Sequence, residues 1–248
     1  MKAVITGMSG TVAPALSNYL VSKNAVVVRW DRNIIPPENQ KACFDFLAGV
    51  QPDYLFHCAT GSPAWAELIS RLCHRLGIKV IYTSSVSIYS GSQRGPFTIH
   101  DRPSPDDNYG VYKLECEQRM LSFNPDAVVA RLGWQIGTEP GKNHMVSHLD
   151  SVFGNEGKIT ASTRWMQACS FLEDTASCLA DTLTSKPGGI YHVDSNDGLN
   201  FFQIVTGLRT ILGRDWVIEE GDFPDLNNLM PDERIAIKKL SARLGIKL

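Results

Sequence analysis

The chain has 248 residues, of which 43% are hydrophobic and 20% charged, with a net charge of −2. That is globular composition without a basic block, which argues against nucleic-acid or membrane-surface binding. The longest apolar runs, such as AVVV at 25–28, are too short to span a bilayer. Met1 leads into KAVIT without the charged and apolar regions of a secretory leader, and the six cysteines include no CxxC pair. The expectation is a cytoplasmic protein with reduced thiols.

In chain order, short β-rich runs alternate with amphipathic stretches. KAVIT at 2–6 is a strand, followed by a Gly-rich turn and the helical TVAPALSNYLVSK. AVVVRW at 25–30 is the next strand, and ACFDF reads as another short run. DYLFHCA at 53–59 leads into the helical PAWAELISRLCHRLG, which Gly77 would end. IKVIYTS at 78–84 precedes a polar loop reaching to about 107, then come a helix and the strand AVVARLG at 127–133. Continuous apolar strands separated by helices predict an α/β fold: a doubly wound parallel sheet of Rossmann type. Helical patterns at 143–154, 173–185 and 200–212, with apolar runs GIYHV and WVIE, predict a small, mainly C-terminal substrate lobe. The expected division is a dinucleotide-binding core at 1–133, rejoined by 171–193, with the lobe formed by 134–170 and 194–248. The loops SGSQRGPFTIHDRPSPDDN and TEPGKN lie where a substrate cleft would open.

TGMSGTVAP at 6–14 follows the first strand and opens a helix. Gly7 and Gly10 permit a tight turn and close approach to a pyrophosphate at a helix N-terminus, with Thr11 and Val12 in the same turn. Ala13 occupies the place where a third glycine often sits. The second strand is predicted to end at Asp31, 21 residues beyond Gly10, the separation for a carboxylate that grips ribose hydroxyls. Asp31 favours NAD; Arg32 beside it would suit the 2′-phosphate of NADP, so the reading leans to NAD with either open.

NYGVYKLE at 108–115 offers two tyrosines and a lysine. Side chains four apart share a helix face, so Tyr109 pairs with Lys113 and Tyr112 does not. A free tyrosine titrates near about 10; lowering it by about 3 units requires ~4 kcal/mol of differential stabilisation. A nearby ammonium and a helix N-terminus both act in that direction. The strand at 78–84 runs into a serine-rich end, where hydroxyls can hold a carbonyl while a tyrosine supplies the proton. His144 and His148 are also four apart, but without a third ligand nearby they are read as structural, so no metal is expected. His57 is read as a hydrogen-bonded residue beside the sheet.

The ordered set TGMSGTV, Asp31, CFDF, QPDYLFHCAT, YTSSVSIYS and YGVYK resembles the extended short-chain dehydrogenase/reductase superfamily over roughly residues 1–137. SSVSIY is similar to its S-x-x-V/I-Y motif, which selects Ser85 as the catalytic hydroxyl. RLGWQIG and GGIYHVDSNDGLNFFQIV are similar to segments of the dTDP-4-dehydrorhamnose reductases and related nucleotide-sugar enzymes. The resemblance implies Ser85, Tyr109 and Lys113 as the catalytic set, with Asp45 and Phe46 near adenine. It also implies Cys58, Ala59 and Thr60 along the cofactor and Trp134 facing the substrate. Ser85-Val86 stands where that group has Thr-Asp, and WMQACSFLED replaces its Gly-x-Pro-Thr segment.

These residues imply NAD(P)-dependent reduction of a carbonyl with Tyr109 as acid/base, and the resemblance implies a 4-keto nucleotide sugar as substrate. A nucleotide-sugar epimerase that retains NAD stays open, as does a non-catalytic dinucleotide-binding regulatory protein. Val86-Ser87 occupies the positions of a dehydratase's Asp-Glu pair, which disfavours dehydration. The resemblance also implies a homodimer through a four-helix interface.

Overall fold

A computed structural model describes residues 1–139 and 143–247; the centre of the TEPGKN loop, residues 140–142, lies outside the described residues. The first half alternates strand and helix: β1 (Lys2–Thr6), α1 (Val12–Ser22), β2 (Val26–Arg29), α2 (Gln40–Val50), β3 (Tyr54–His57), α3 (Pro63–Leu76), β4 (Lys79–Ser85), α4 (Asn108–Phe123) and β5 (Val128–Leu132). The remainder is more finely divided: β6 (Trp134–Ile136), α5 (Met145–Glu156), β7 (Ile159–Ser162), β8 (Trp165–Met166), β9 (Cys169–Phe171), α6 (Leu172–Ser177), β10 (Gly189–Val193), α7 (Phe201–Leu212), β11 (Ile218–Gly221), β12 (Leu226–Asn227) and α8 (Leu240–Leu244).

Six strands form one parallel sheet in the order β10-β5-β4-β3-β1-β2. This is a doubly wound arrangement: β2 lies on one side of β1, and the winding then reverses so that β3, β4 and β5 follow on the other. Alternate residues of each strand enter opposite cores, as the period of two requires. Val4, Val80, Tyr82 and Val129 join α2, α3 and α4 on one face. Ala3, Ile5, Ile81, Val128 and Ala130 join α1 and the α6 segment on the other. Burial on both faces explains the uninterrupted apolar strands. β2, at the edge, is more exposed.

Local signals set the helix ends. Ser62 caps α3 by accepting the Trp65 N–H, Pro63 takes its first position, and Gly77 closes it at φ 66°. The second core is built on the short parallel pairs β6–β9 and β7–β11, with α5, α7 and α8 packed around Phe201, Ile204 and Trp216. A third short pair, β8–β12, carries Trp165 opposite Leu226.

Two sequence expectations are corrected. ACFDF is not a strand: it lies within α2, where Cys43 and Leu47, one turn apart, bury the same face. The second strand ends at Arg29, two residues before Asp31. Among the described residues no helix is long and apolar enough to cross a membrane.

Candidate active site

The carboxyl ends of β1, β3, β4 and β5 open on a cleft of about 340 Å³. Its walls carry Gly7, Gly10, Thr11 and Val12 at one end and Ser85, Tyr109 and Lys113 at the other, with Cys58, Ala59 and Thr60 between. Gly7 has φ 83°, and a Cβ there would lie 2.7 Å from the Ala59 nitrogen. Only glycine lets the β1 turn come this close to the end of β3. Gly10 donates back to the Gly7 carbonyl at 2.8 Å, closing the turn. Thr11 Oγ1 donates to the Asn143 carbonyl at 3.1 Å and so ties the turn to the segment before α5.

Beyond β2, Arg32 stands in the cleft wall, whereas Asp31 is not among the lining residues. Arg32 donates to the Thr60 carbonyl at 3.1 Å and its guanidinium lies 5.7 Å from the Trp65 ring centre. The Asp31 carboxylate instead accepts the Asn33 N–H at 2.9 Å within its own turn. Asp45 is on the exposed side of α2, paired with Lys41, and Phe46 packs edge-on against Trp30 at 5.1 Å; neither lines the cleft. Both sit on α2, whereas the cleft wall takes Arg32 from the segment between β2 and α2.

Ser85 ends β4 and caps a single 3-10 turn, Val86–Ile88, its Oγ accepting the Ser87 N–H at 3.1 Å. Opposite it α4 begins, with Asp107 accepting the Gly110 N–H at 2.6 Å. Gly110 allows the approach: a Cβ there would lie 2.0 Å from the Ser87 carbonyl oxygen. Tyr109, 47% exposed, therefore faces Ser85 across the cleft. One turn along α4, Lys113 is buried and donates from Nζ to the Thr83 carbonyl at 2.8 Å. Its Nζ lies 5.6 Å from the Tyr109 ring centre and 4.9 Å from that of Tyr82.

The electrostatics differ from the expectation of a lowered tyrosine. Burial raises the Tyr109 pKa above its ordinary value; the nearby Ser85 hydroxyl pulls it down and the Asp107 carboxylate pushes it up. Lys113 is itself lowered to about 8, because burial penalises its ammonium. The lysine is turned to Thr83, and its charge is the group under pressure. Tyr112, whose hydroxyl accepts the Gly61 N–H at 3.0 Å, is raised to about 12, first by burial, and braces the loop before α3. Burial also raises the Cys58 thiol to about 12, which keeps it un-ionised. His57 is buried, paired through Nδ1 with Thr6 Oγ1 at 2.8 Å, and lowered to about 3, first by burial.

A second hollow of about 450 Å³ adjoins the first and is lined by Ser85, Ser87, Tyr109, Trp134, Gln135, Trp165, Gln167 and Asn228, among others. Trp134 stacks at 6.2 Å on Phe201 and lies 5.4 Å from His148. His144 caps α5 through Nδ1, accepting the Ser147 N–H. Sequence reasoning missed Gln135, Asn143, Gln167 and Asn228. Among them only Gln135 carried a local signal, a polar residue inside the apolar run WQI.

A model of the family described as RmlD substrate binding domain matches residues 62–208, more than half of the chain. The protein belongs to that family. The RmlD-type chain is 23% identical over 163 residues to the probable low-salt glycan biosynthesis reductase Agl14 of Haloferax volcanii, covering 64% of this chain and 54% of that protein. It is 21% identical over 221 residues to the dTDP-4-dehydrorhamnose reductase of Mycolicibacterium smegmatis, covering 82% of this chain and 67% of that one. The chain thus spans between about half and two thirds of these relatives. Its fold is that of the Bacillus anthracis dTDP-4-dehydrorhamnose reductase solved in complex with NADP, with a TM-score of 0.84, 15% identity, and 98% and 96% of the two chains covered.

Proposed function

We propose that the protein reduces a carbonyl on a nucleotide-linked sugar with NADPH, and that Tyr109 supplies the proton. The observation that carries this reading is that the two hollows share Ser85 and Tyr109. A reacting carbonyl at that junction would touch both hydroxyls while facing the cofactor cleft.

The residues present fit a dinucleotide. The Gly7–Thr11 turn opens α1, whose N-terminus favours a pyrophosphate. Ser84 Oγ, in the cleft wall, is buried without a partner among the described residues, as befits a site completed by a ligand. Arg32 at the outer end supports NADP over NAD, since a guanidinium suits a 2′-phosphate. Lys113, with one donor on Thr83, has two more for the ribose hydroxyls. The bound cofactor would supply the hydride. Ser85 then donates to the carbonyl oxygen, and Tyr109, held in its protonated form, delivers the proton as negative charge develops there. The names of the relatives support a 4-keto-6-deoxy sugar on dTDP as substrate. The cysteines, all free thiols, support a reducing, cytoplasmic setting.

Tyr109→Phe tests the reading. A general acid contributes about 10²–10⁴-fold, so kcat should fall by that factor while NADPH affinity stays within about twofold. Unchanged turnover in a variant that binds NADPH normally would remove Tyr109 from the mechanism.

A further inference from the structure

Gln135 is 7% exposed, lies between Trp134 and Ile136 on β6, and lines both hollows. Its flanking residues pack into the second core, so by the alternation of a strand its side chain takes the opposite side. Gly133 brings β6 to this position: a Cβ there would lie 2.5 Å from the Ala168 carbonyl. Gln135 Nε2 donates to the Gly133 carbonyl at 2.9 Å. A carbonyl can only accept, so this bond fixes which end of the amide is nitrogen and leaves Oε1 as the free atom. Oε1 is buried with no partner among the described residues. A buried acceptor left unpaired is costly, and it is tolerated where a ligand supplies the donor. Across the same hollow, Trp165 Nε1 is a buried donor that also lacks a partner among the described residues. Ser85 and Tyr109 are the hydroxyl-bearing side chains common to both hollows, so the free oxygen belongs to the same junction at which the carbonyl would react.

We propose that Gln135 Oε1 is a specificity-determining acceptor that binds a hydroxyl on the carbon adjacent to the reacting centre, so that the site selects α-hydroxy carbonyl substrates. The assignment rests on the reductase reading for the identity of that centre. A neutral amide suits this role: it accepts from a hydroxyl without setting a full negative charge beside the oxygen that gains charge in the reaction.

Binding rather than turnover separates the two claims. Calorimetry on the enzyme–NADP⁺ complex would compare a dTDP-6-deoxyhexose with its 3-deoxy counterpart, for the native protein and for Gln135→Met. The native protein should bind the deoxy sugar about tenfold more weakly. Gln135→Met should bind both within about twofold of each other, with NADP⁺ affinity unchanged. Equal binding of the two sugars by the native protein, or discrimination retained in the variant, overturns the assignment. Retained discrimination together with weakened NADP⁺ binding in the variant overturns it in favour of a contact to the nicotinamide carboxamide. Sugar discrimination that depends on Gln135, without any NADPH-driven reduction, sinks the reductase reading and leaves Gln135 as a hydroxyl acceptor. Absence of binding by either sugar counts against both.

Discussion

Lys113 is the residue on which the pH behaviour of the site turns. Its ammonium is charged below about 8 and loses that charge above it, because burial opposes ionisation. Tyr109 is shifted the other way, so the phenol stays protonated across the same range. The proposed reduction would require both the acid form of Tyr109 and the charged form of Lys113. The pH profile of kcat/KM, which reports the free enzyme, should therefore be flat below neutrality and fall above about pH 8. A profile that rises through pH 8 would mean that a phenolate is needed and that the assignment of roles is inverted. The proposed preference for NADPH rests on Arg32, at the other end of the cleft. Arg32→Ala should weaken NADPH binding by about 10- to 100-fold, the worth of a charge-assisted contact to phosphate, and change NADH binding little. Fluorescence titration with the two cofactors checks this, and tighter binding of NADH than NADPH by the native protein would return the preference to Asp31.

At the scale of elements, the site depends on how closely α4 meets the turn after β4. Gly110 stands in the first turn of a helix, where glycine costs about 1 kcal/mol relative to alanine. What it permits is contact with the Ser87 backbone, which cannot yield as a flexible side chain would. Further along α4, Glu117 forms a buried ion pair with Arg131 of β5 at 2.8 Å, and Arg131 also donates to Tyr89. The helix is thus fixed to the sheet behind the site and pressed against the 3-10 turn in front of it. Gly110→Ala should cost about 1–3 kcal/mol of stability through overpacking and lower kcat by displacing Tyr109 from Ser85. Thermal unfolding and steady-state kinetics measure the two effects, and a variant neutral in both would show that the close approach is not needed. The Tyr109–Lys113 pairing was legible in the sequence through spacing alone. The sign of the tyrosine's shift was not. It depends on where the Lys113 ammonium is directed and on how far the cleft walls desolvate the half-exposed phenol, both tertiary facts. The helix containing Cys43 and Leu47 was missed because a five-residue apolar run fits either period.

For the whole molecule, the parallel sheet and its nucleotide end were readable because burial on two faces and a Gly-rich turn impose strong local patterns. The second hollow was not readable in the same way. Trp134 was reached through resemblance, but Gln135 on β6 and Gln167 and Asn228 just after β8 and β12 belong to strands too brief to carry a period, and the pairing of β6 with β9 and β8 with β12 assembles them. The proposed reduction takes place where these two parts meet, at hydroxyls that belong to the walls of both. The most direct test of that account is the stoichiometry of the reaction with dTDP-4-keto-6-deoxyglucose, following NADPH oxidation together with sugar product. One NADPH should be oxidised for each carbonyl reduced. Interconversion of sugars without net NADPH oxidation, or NADPH binding with no turnover of the sugar, would contradict it.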